Sequence, residues 1–273
     1  MQLIAETYGL MRDGLGWEAA RISETFAAWN RGPLQSYLIE ISGQVAGTTD
    51  AATGKPLLDV IVDAAGQKGT GRWTVIESQH LAAPIPVIEA AVVARNLSSR
   101  RDERAVMQTL YGAGPRRIAD LPVAVMEQAL ICGKIMCYDQ GFGMMKAASK
   151  DFGWNLRLPG IARVWRAGCI IRSAMLDDMA SAFTDDAGRS LMAAPFFLDR
   201  IKASHDALRQ VVATAALHGI AVPAHAAALA YFDAMRTARG TANMIQGQRD
   251  FFGLHGFERL DDGSSGQHGP WAG

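Results

Sequence analysis

An all-α fold is predicted by three observations. Apolar residues recur at three- and four-residue spacing through most of the chain. No segment alternates apolar and polar residues with the period of two that a half-buried strand requires. The periodic segments are punctuated by Pro and Gly, the residues that end helices.

The elements follow in order, all read from the sequence. Residues 2–11 have helical spacing but no capping residue ahead of them. Residues 17–29 (WEAARISETFAAW) form a second amphipathic helix, stopped by the turn at 30–33. Residues 34–45 form a third, largely buried one. Residues 57–62 lead into a Gly-rich loop, and 74–81 make a short helix after it. Residues 87–97 form an apolar helix carrying Arg95 near its end. Ser99 and Asp102 have the spacing of a capping box for the next helix, and 112–115 is a turn. A long helix covers 123–149 and another covers 159–183. Residues 195–218 are long and amphipathic, 223–235 are Ala-rich, and 242–252 form the last helix. From Gly256 the chain becomes an irregular Gly/Ser/Asp-rich tail with no period of its own.

Three landmarks recur at nearly one spacing. Gly16-Trp17 matches Gly153-Trp154, and Ile85-Pro86 matches Val222-Pro223, both 137 positions on; Trp29-x-x-Gly32 matches Trp165-x-x-Gly168 at 136. This points to a duplicated multi-helix unit. The expected organisation is one helical domain over 1–255, with a first copy about 1–118 and a second about 119–255, followed by a tail at 256–273. Met1 then corresponds to Tyr138, midway along the long helix. The expectation is that the chain starts inside a helix and that the first copy is truncated at its N-terminus.

Composition excludes several classes. Lys and Arg number 27, as do Asp and Glu, so no global charge draws the chain to nucleic acid or an anionic membrane. No apolar run reaches the ~18 residues of a membrane span, and no leader resembles a signal peptide. Cys132, Cys137 and Cys169 lack a disulfide or zinc spacing and read as reduced core thiols of a cytoplasmic protein. No metal site is expected. His80, His205, His218 and His225 have no partner spacing and read as structural. No Gly-x-Gly-x-x-Gly follows a strand, so no dinucleotide fingerprint is present.

The richest stretch is 61–73, IVDAAGQKGTGRW. Lys68 supplies an ammonium, Thr70 a hydroxyl, and Gly69 and Gly71 allow close backbone approach, which together suit a phosphate or carboxylate. The other reading is a glycine turn between helices with Lys68 solvated. It is not a Walker A loop, since no Gly stands at the required spacing before Lys68. Arg95 either meets an anion or complements its helix dipole. Arg249 and His255 either approach an anion from the end of the chain or cap a helix as surface groups.

These residues carry a resemblance. Residues 61–73 fit at every fixed position the signature of the 6-phosphogluconate dehydrogenases: apolar-x-Asp-x-x-Gly-x-Lys-Gly-Thr-Gly-x-Trp. The likeness extends through MQLIAETY at the start, WNRGPLQSYLIEI (29–41), AVVARNLSSRRDER (91–104), PGIARVWRAGCIIRS (159–173) and IQGQRDFFGLHGFE (245–258). His268 and Trp271 resemble a remnant of the family's C-terminal arm.

The resemblance implies an enzyme of the pentose phosphate pathway and gluconate utilisation. Such enzymes oxidatively decarboxylate 6-phosphogluconate to ribulose 5-phosphate while reducing NADP. A Rossmann domain holds the nucleotide, and a duplicated helical domain forms a homodimer and much of the substrate site. Carried over by position, Lys68, Thr70 and Arg95 bind substrate, chiefly its phosphate. Arg249 and His255 reach the substrate of the other subunit. The family's catalytic Lys and Glu lie just ahead of the segment matching MQLI, and its Rossmann domain lies further ahead. No catalytic residue is therefore expected here, nor tight NADP binding, nor turnover by this chain alone. The alternative is a non-catalytic helical dimerisation module, or the complementing half of a split enzyme with a separate nucleotide-binding partner. Kinship with other hydroxyacid dehydrogenases is opposed by the Lys-Gly-Thr-Gly-x-Trp motif.

Overall fold

A computed structural model describes residues 1–272. Thirteen α-helices make up the described part, with no β-strand; three isolated bridges are the only extended pairings. The chain divides into two compact units, 1–231 and 232 onward.

In the first unit, α1 (Gln2–Gly9) continues into a π-helical turn, Leu10–Gly14. Then come α2 (Ala19–Trp29), α3 (Tyr37–Gly47), the single-turn α4 (Leu57–Val60), α5 (Thr70–His80), α6 (Pro86–Ser98) and α7 (Arg101–Tyr111). The long α8 (Val123–Asp151) follows, with α9 (Leu158–Trp165), α10 (Met175–Asp185), α11 (Pro195–Leu217) and α12 (Pro223–Met235), whose last residues pass into the second unit. Helix α8 is buried on several faces, through Met126, Leu130, Ile131, Ile135, Met136 and Phe142. A helix buried on several faces belongs near the centre. It packs chiefly against α11, while α2 packs on α3 and α9 on α10.

The 137-residue period reappears in the elements. The π turn ends at Gly14 and α8 at Asp151; α5 ends at His80 and α11 at Leu217; α6 and α12 begin and end in step. Ala82 and Gly219, also 137 apart, both have positive φ (49° and 67°). After each, an N–H reaches back five residues, from Ala83 to the Ser78 carbonyl and from Ile220 to that of Ala215. That bond satisfies carbonyls orphaned at a helix end. Between the copies, Ser36 pairs with Ser173 in an antiparallel bridge: Tyr37 N–H donates to the Arg172 carbonyl and Ala174 N–H to that of Gln35. Ser36 and Ser173 are one period apart, and the two hydrogen bonds flank them symmetrically.

The copies also cap one another. Glu6 of α1 accepts the N–H groups of Ala224 and His225 at the start of α12, at 2.8 and 3.0 Å. Gln140 of α8 accepts the Val87 N–H at the start of α6, at 3.0 Å. Both helices open with Pro, which has no N–H, so the next donors are the ones needing a partner.

Three expectations need correction. The single helix over 159–183 is two, α9 and α10, because Gly168 turns with φ 74° and the segment through Ser173 is drawn into the bridge with Ser36. Ser99 does not cap α7: its hydroxyl donates to the Asn96 carbonyl, and the residue ahead of α7 is Arg100. The helix after the Gly-rich loop starts at Thr70, not 74, because Gly69 takes the left-handed conformation (φ 103°) and lets the helix begin at once.

The second unit holds the end of α12, then α13 (Ala242–Gly253) and the chain beyond it. Residues 257 and 267 pair in an antiparallel bridge, and Pro270–Ala272 forms a 3-10 turn. The tail is thus ordered although its sequence has no period.

Candidate functional site

The loop between α4 and α5 is held against the ends of α6 and α7. Asp63 Oδ2 accepts from Arg104 Nη1 at 2.8 Å, and Arg101 Nε lies 3.7 Å from Oδ1. Arg104 Nη2 also donates to the Ser98 carbonyl at 3.0 Å. The Ala65 N–H donates to Ser98 Oγ at 3.0 Å, and Gln67 Nε2 to Asn96 Oδ1 at 2.5 Å. The Asp63 carboxyl titrates below its ordinary value, first because of the Arg104 hydrogen bond.

These contacts place the loop beside Arg95, which precedes Asn96 on α6. A Cβ on Gly71 would meet Val92 Cγ2 at 3.2 Å, so the first turn of α5 lies on α6 one turn before Arg95. Lys68 and Thr70 are exposed, Arg95 is half-buried, and Gly69 between them is buried. No side chain caps the N-terminus of α5. One patch of the first unit therefore collects an ammonium, a hydroxyl, a guanidinium and the free N–H groups of a helix start. That arrangement suits an anion with several oxygens. Arg95 Nη2 has a single soft contact, Met1 Sδ at 3.6 Å.

Arg249 and His255 belong to the second unit. Arg249 is exposed on α13 and donates to Gln246 Oε1 at 3.1 Å. His255 is exposed just past the helix, its ring edge-on to Phe252 with centroids 5.9 Å apart. Leu254 between them is left-handed (φ 47°). This corner is held by Asp250, which is fully buried. Its oxygens accept the N–H groups of Gly256 and Gly269 at 2.9 Å, His268 Nδ1 at 2.6 Å and Trp271 Nε1 at 2.9 Å. Burial opposes ionisation of Asp250, but these donors, led by Gly269 and His268, hold its carboxyl far below the usual range.

Sequence reasoning missed the supporting residues. Asp63 and Arg104 are 41 positions apart, and their pairing was visible only as an acidic residue ahead of the Gly-rich stretch and an arginine cluster far downstream. Asp250 stands next to Arg249 but carried no signal, because its four donors come from the irregular chain beyond α13. The histidines read as structural include His225, fully buried against Glu6, and His218, whose Nδ1 lies 2.8 Å from the Thr214 carbonyl. The three cysteines form no disulfide, and burial pushes the Cys132 thiol up to about 11. Among the described residues no His/Cys/Asp/Glu group could hold a metal, and no helix is long and apolar enough to cross a membrane.

Comparison with known proteins gives consistent matches. The family model described as 6-phosphogluconate dehydrogenase, C-terminal domain, matches residues 1–271. The chain is 42% identical over 267 residues to the NADP(+)-dependent decarboxylating 6-phosphogluconate dehydrogenase of Bacillus subtilis, covering 96% of this chain and 57% of that protein. It is equally similar, at 42% with the same coverage, to the NAD(+)-dependent enzyme of that organism. A decarboxylating 6-phosphogluconate dehydrogenase of Schizosaccharomyces pombe is 43% identical, with 96% and 54% covered. Among solved structures, Plasmodium falciparum 6-phosphogluconate dehydrogenase superposes with a TM-score of 0.95 at 36% identity, over 99% of this chain and 59% of that one. The chain thus spans about half the length of the curated relatives it matches.

Proposed function

Because the chain belongs to the 6-phosphogluconate dehydrogenase family, matching its C-terminal domain almost throughout, we propose that it supplies part of a 6-phosphogluconate site. Lys68, Thr70 and Arg95 take the phosphate. Arg249 and His255 reach the substrate held by a second copy. The reaction served is NADP-linked oxidative decarboxylation to ribulose 5-phosphate, in which a base, a hydride acceptor and an acid are required. We assign none of these three roles to a residue of this chain, so it binds substrate without turning it over and has no tight NADP site of its own.

The observation that carries this reading is the Asp63–Arg104 pair at 2.8 Å. It fixes an otherwise exposed loop so that Lys68 and the start of α5 lie beside Arg95. The test is titration calorimetry with 6-phosphogluconate. Lys68→Ala and Arg95→Ala should each weaken binding about tenfold or more, the order expected for a lost charge-assisted hydrogen bond. Unchanged affinity in both would refute the assignment. Steady-state NADP reduction by the chain alone would refute the absence of turnover.

A second reading, a helical dimerisation module that complements a separate nucleotide-binding half, is supported by α7. No residue of that helix is buried, yet Val106, Met107, Leu110 and Tyr111 present an apolar face, Tyr111 at 84% exposure. Such a face calls for a partner, and a second copy in a cytoplasmic homodimer is the one we propose. The two readings are compatible, and recovery of activity on mixing with a nucleotide-binding half would support both.

A further inference from the structure

Arg249 lies in the last turn of α13 and His255 just beyond it, and two neighbouring side chains hold the corner between them. The Leu254 N–H donates to the Asp250 carbonyl and the Gly256 N–H to the Asp250 carboxylate, each at 2.9 Å. His255 is therefore bracketed by two residues bonded to Asp250. Gln246 acts from one turn earlier. Its Oε1 accepts from Arg249 Nη1 at 3.1 Å, while its Nε2 donates to the Gly256 carbonyl. One amide thus joins the guanidinium to the corner beyond His255, and both backbone groups of Gly256 are engaged.

The chain after Gly256 closes on the same carboxylate. Phe257 and Gln267 exchange N–H···O bonds at 2.8 and 3.0 Å, which turn the tail back toward α13. His268 Nδ1, the Gly269 N–H and Trp271 Nε1 then reach the Asp250 oxygens, and the Trp271 ring lies 5.6 Å from that of Phe251. The return is close: a Cβ on Gly256 would sit 3.4 Å from Gly266 Cα, and the φ of 70° there favours glycine. Asp250 is wholly buried, and a buried carboxylate needs such donors around it. All but Gly256 come from 268–271. Without them the carboxylate must turn to water, and its hold on Gly256 is released.

We propose that Asp250 and Gln246 are positioning residues that couple the tail to the substrate contact. Residues 257–271, to which no substrate contact is assigned, must be folded onto Asp250 for Arg249 and His255 to engage 6-phosphogluconate. This coupling presupposes that these two residues reach the substrate held by a second copy, as proposed above.

The test is calorimetry with 6-phosphogluconate on the full chain, run as a double-mutant cycle. Asp250→Asn keeps the size of the side chain and removes its charge. It should weaken binding by about five- to tenfold, within the range for coupled neighbours. In a chain already carrying Arg249→Ala and His255→Ala, the same substitution should change affinity by less than about twofold, because nothing is left to position. Gln246→Leu, which leaves the Asp250 bonds in place, should follow the same pattern. Equal weakening by Asp250→Asn in both backgrounds would reduce its role to general stability and overturn the coupling. So would an unchanged affinity in Asp250→Asn while Arg249→Ala with His255→Ala weakens binding. If those two substitutions together weaken nothing, the substrate reading of Arg249 and His255 falls, and the coupling with it. A measurement on the unaltered protein covers failure of a variant to fold. Saturating 6-phosphogluconate should slow deuterium uptake across residues 256–271 by about the factor that tail closure adds to affinity, because coupling is reciprocal. The slowing should be absent from the chain carrying Arg249→Ala and His255→Ala. No slowing in the unaltered protein would overturn the coupling.

Discussion

Glu6 and His225, 219 residues apart, form a buried pair: Glu6 Oε2 accepts the His225 Nδ1–H at 2.8 Å, with both side chains almost wholly excluded from solvent. The same carboxylate takes the two backbone donors at the head of α12. One side chain of the first copy thus fixes the start of a helix in the second. Glu6→Ala strips three buried donors of their acceptor and should destabilise the chain by about 3–5 kcal/mol. Urea unfolding measures this; a loss below about 1 kcal/mol would show that the pair contributes little. Gln140→Ala, which removes one neutral cap, should cost about 1–2 kcal/mol.

Asp63 and Arg104 are largely exposed, so their ion pair should add less than about 1 kcal/mol to global stability. Its effect is local. Arg104→Ala should leave the unfolding midpoint nearly unchanged while amide exchange across residues 61–69 accelerates and 6-phosphogluconate binding weakens. A lowered melting temperature with unchanged loop exchange would contradict this.

The Asp250 carboxyl titrates lower in the folded chain than in the unfolded one. A depressed acid contributes stability that is complete above the unfolded value and lost as pH falls through the folded one. The Trp271 Nε1–H, donated to Asp250 at 2.9 Å, should therefore stay protected from exchange at pH 5 and fade only in strong acid. Asp250→Ala should expose the tail beyond Gly256 to limited proteolysis at neutral pH; an intact tail would show that other contacts hold it.

Lys134 also has a lowered pKa, but here folding disfavours the charged form rather than favouring it. Its folded pKa is lowered from 10.5 to about 8, so the folded state loses this proton before the unfolded state does. Stability rises as pH climbs between those two values. Lys134→Met should stabilise the chain by about 1–3 kcal/mol at pH 7, with the gain shrinking toward pH 10. Destabilisation by this substitution would mean that the ammonium has an anionic partner.

Leu110 and Tyr111 are 66% and 84% exposed on α7. Replacing both with Glu should convert a dimer to a monomer in light scattering while preserving helicity. An unchanged mass would place the interface elsewhere.

The helices were legible because their signals are local. Pro86 and Pro223 mark helix starts, and the periodic apolar stripes between them need no knowledge of the rest of the chain. The break between α9 and α10 was not, since residues 159–183 are locally helical and only the bridge from Ser36 to Ser173 interrupts them. Lys68, Thr70 and Arg95 stood out through a contiguous motif and a resemblance. The clamp that orients them did not, because Asp63 and Arg104 meet only after α6 and α7 have packed against the loop.

By itself the sequence determined an all-helical, doubled chain and the ammonium, hydroxyl and guanidinium available for an anion. Spacing along the chain encodes helical period, repeat length and motif directly. Tertiary structure alone decided which carboxylates are spent internally and which cations are left without one. Glu6 is committed to α12, Asp63 to Arg104 and Asp250 to the tail, while Lys134 meets the Ser173 hydroxyl. Pairing and desolvation depend on distance in space, and residues tens to hundreds of positions apart become neighbours only when the helices pack.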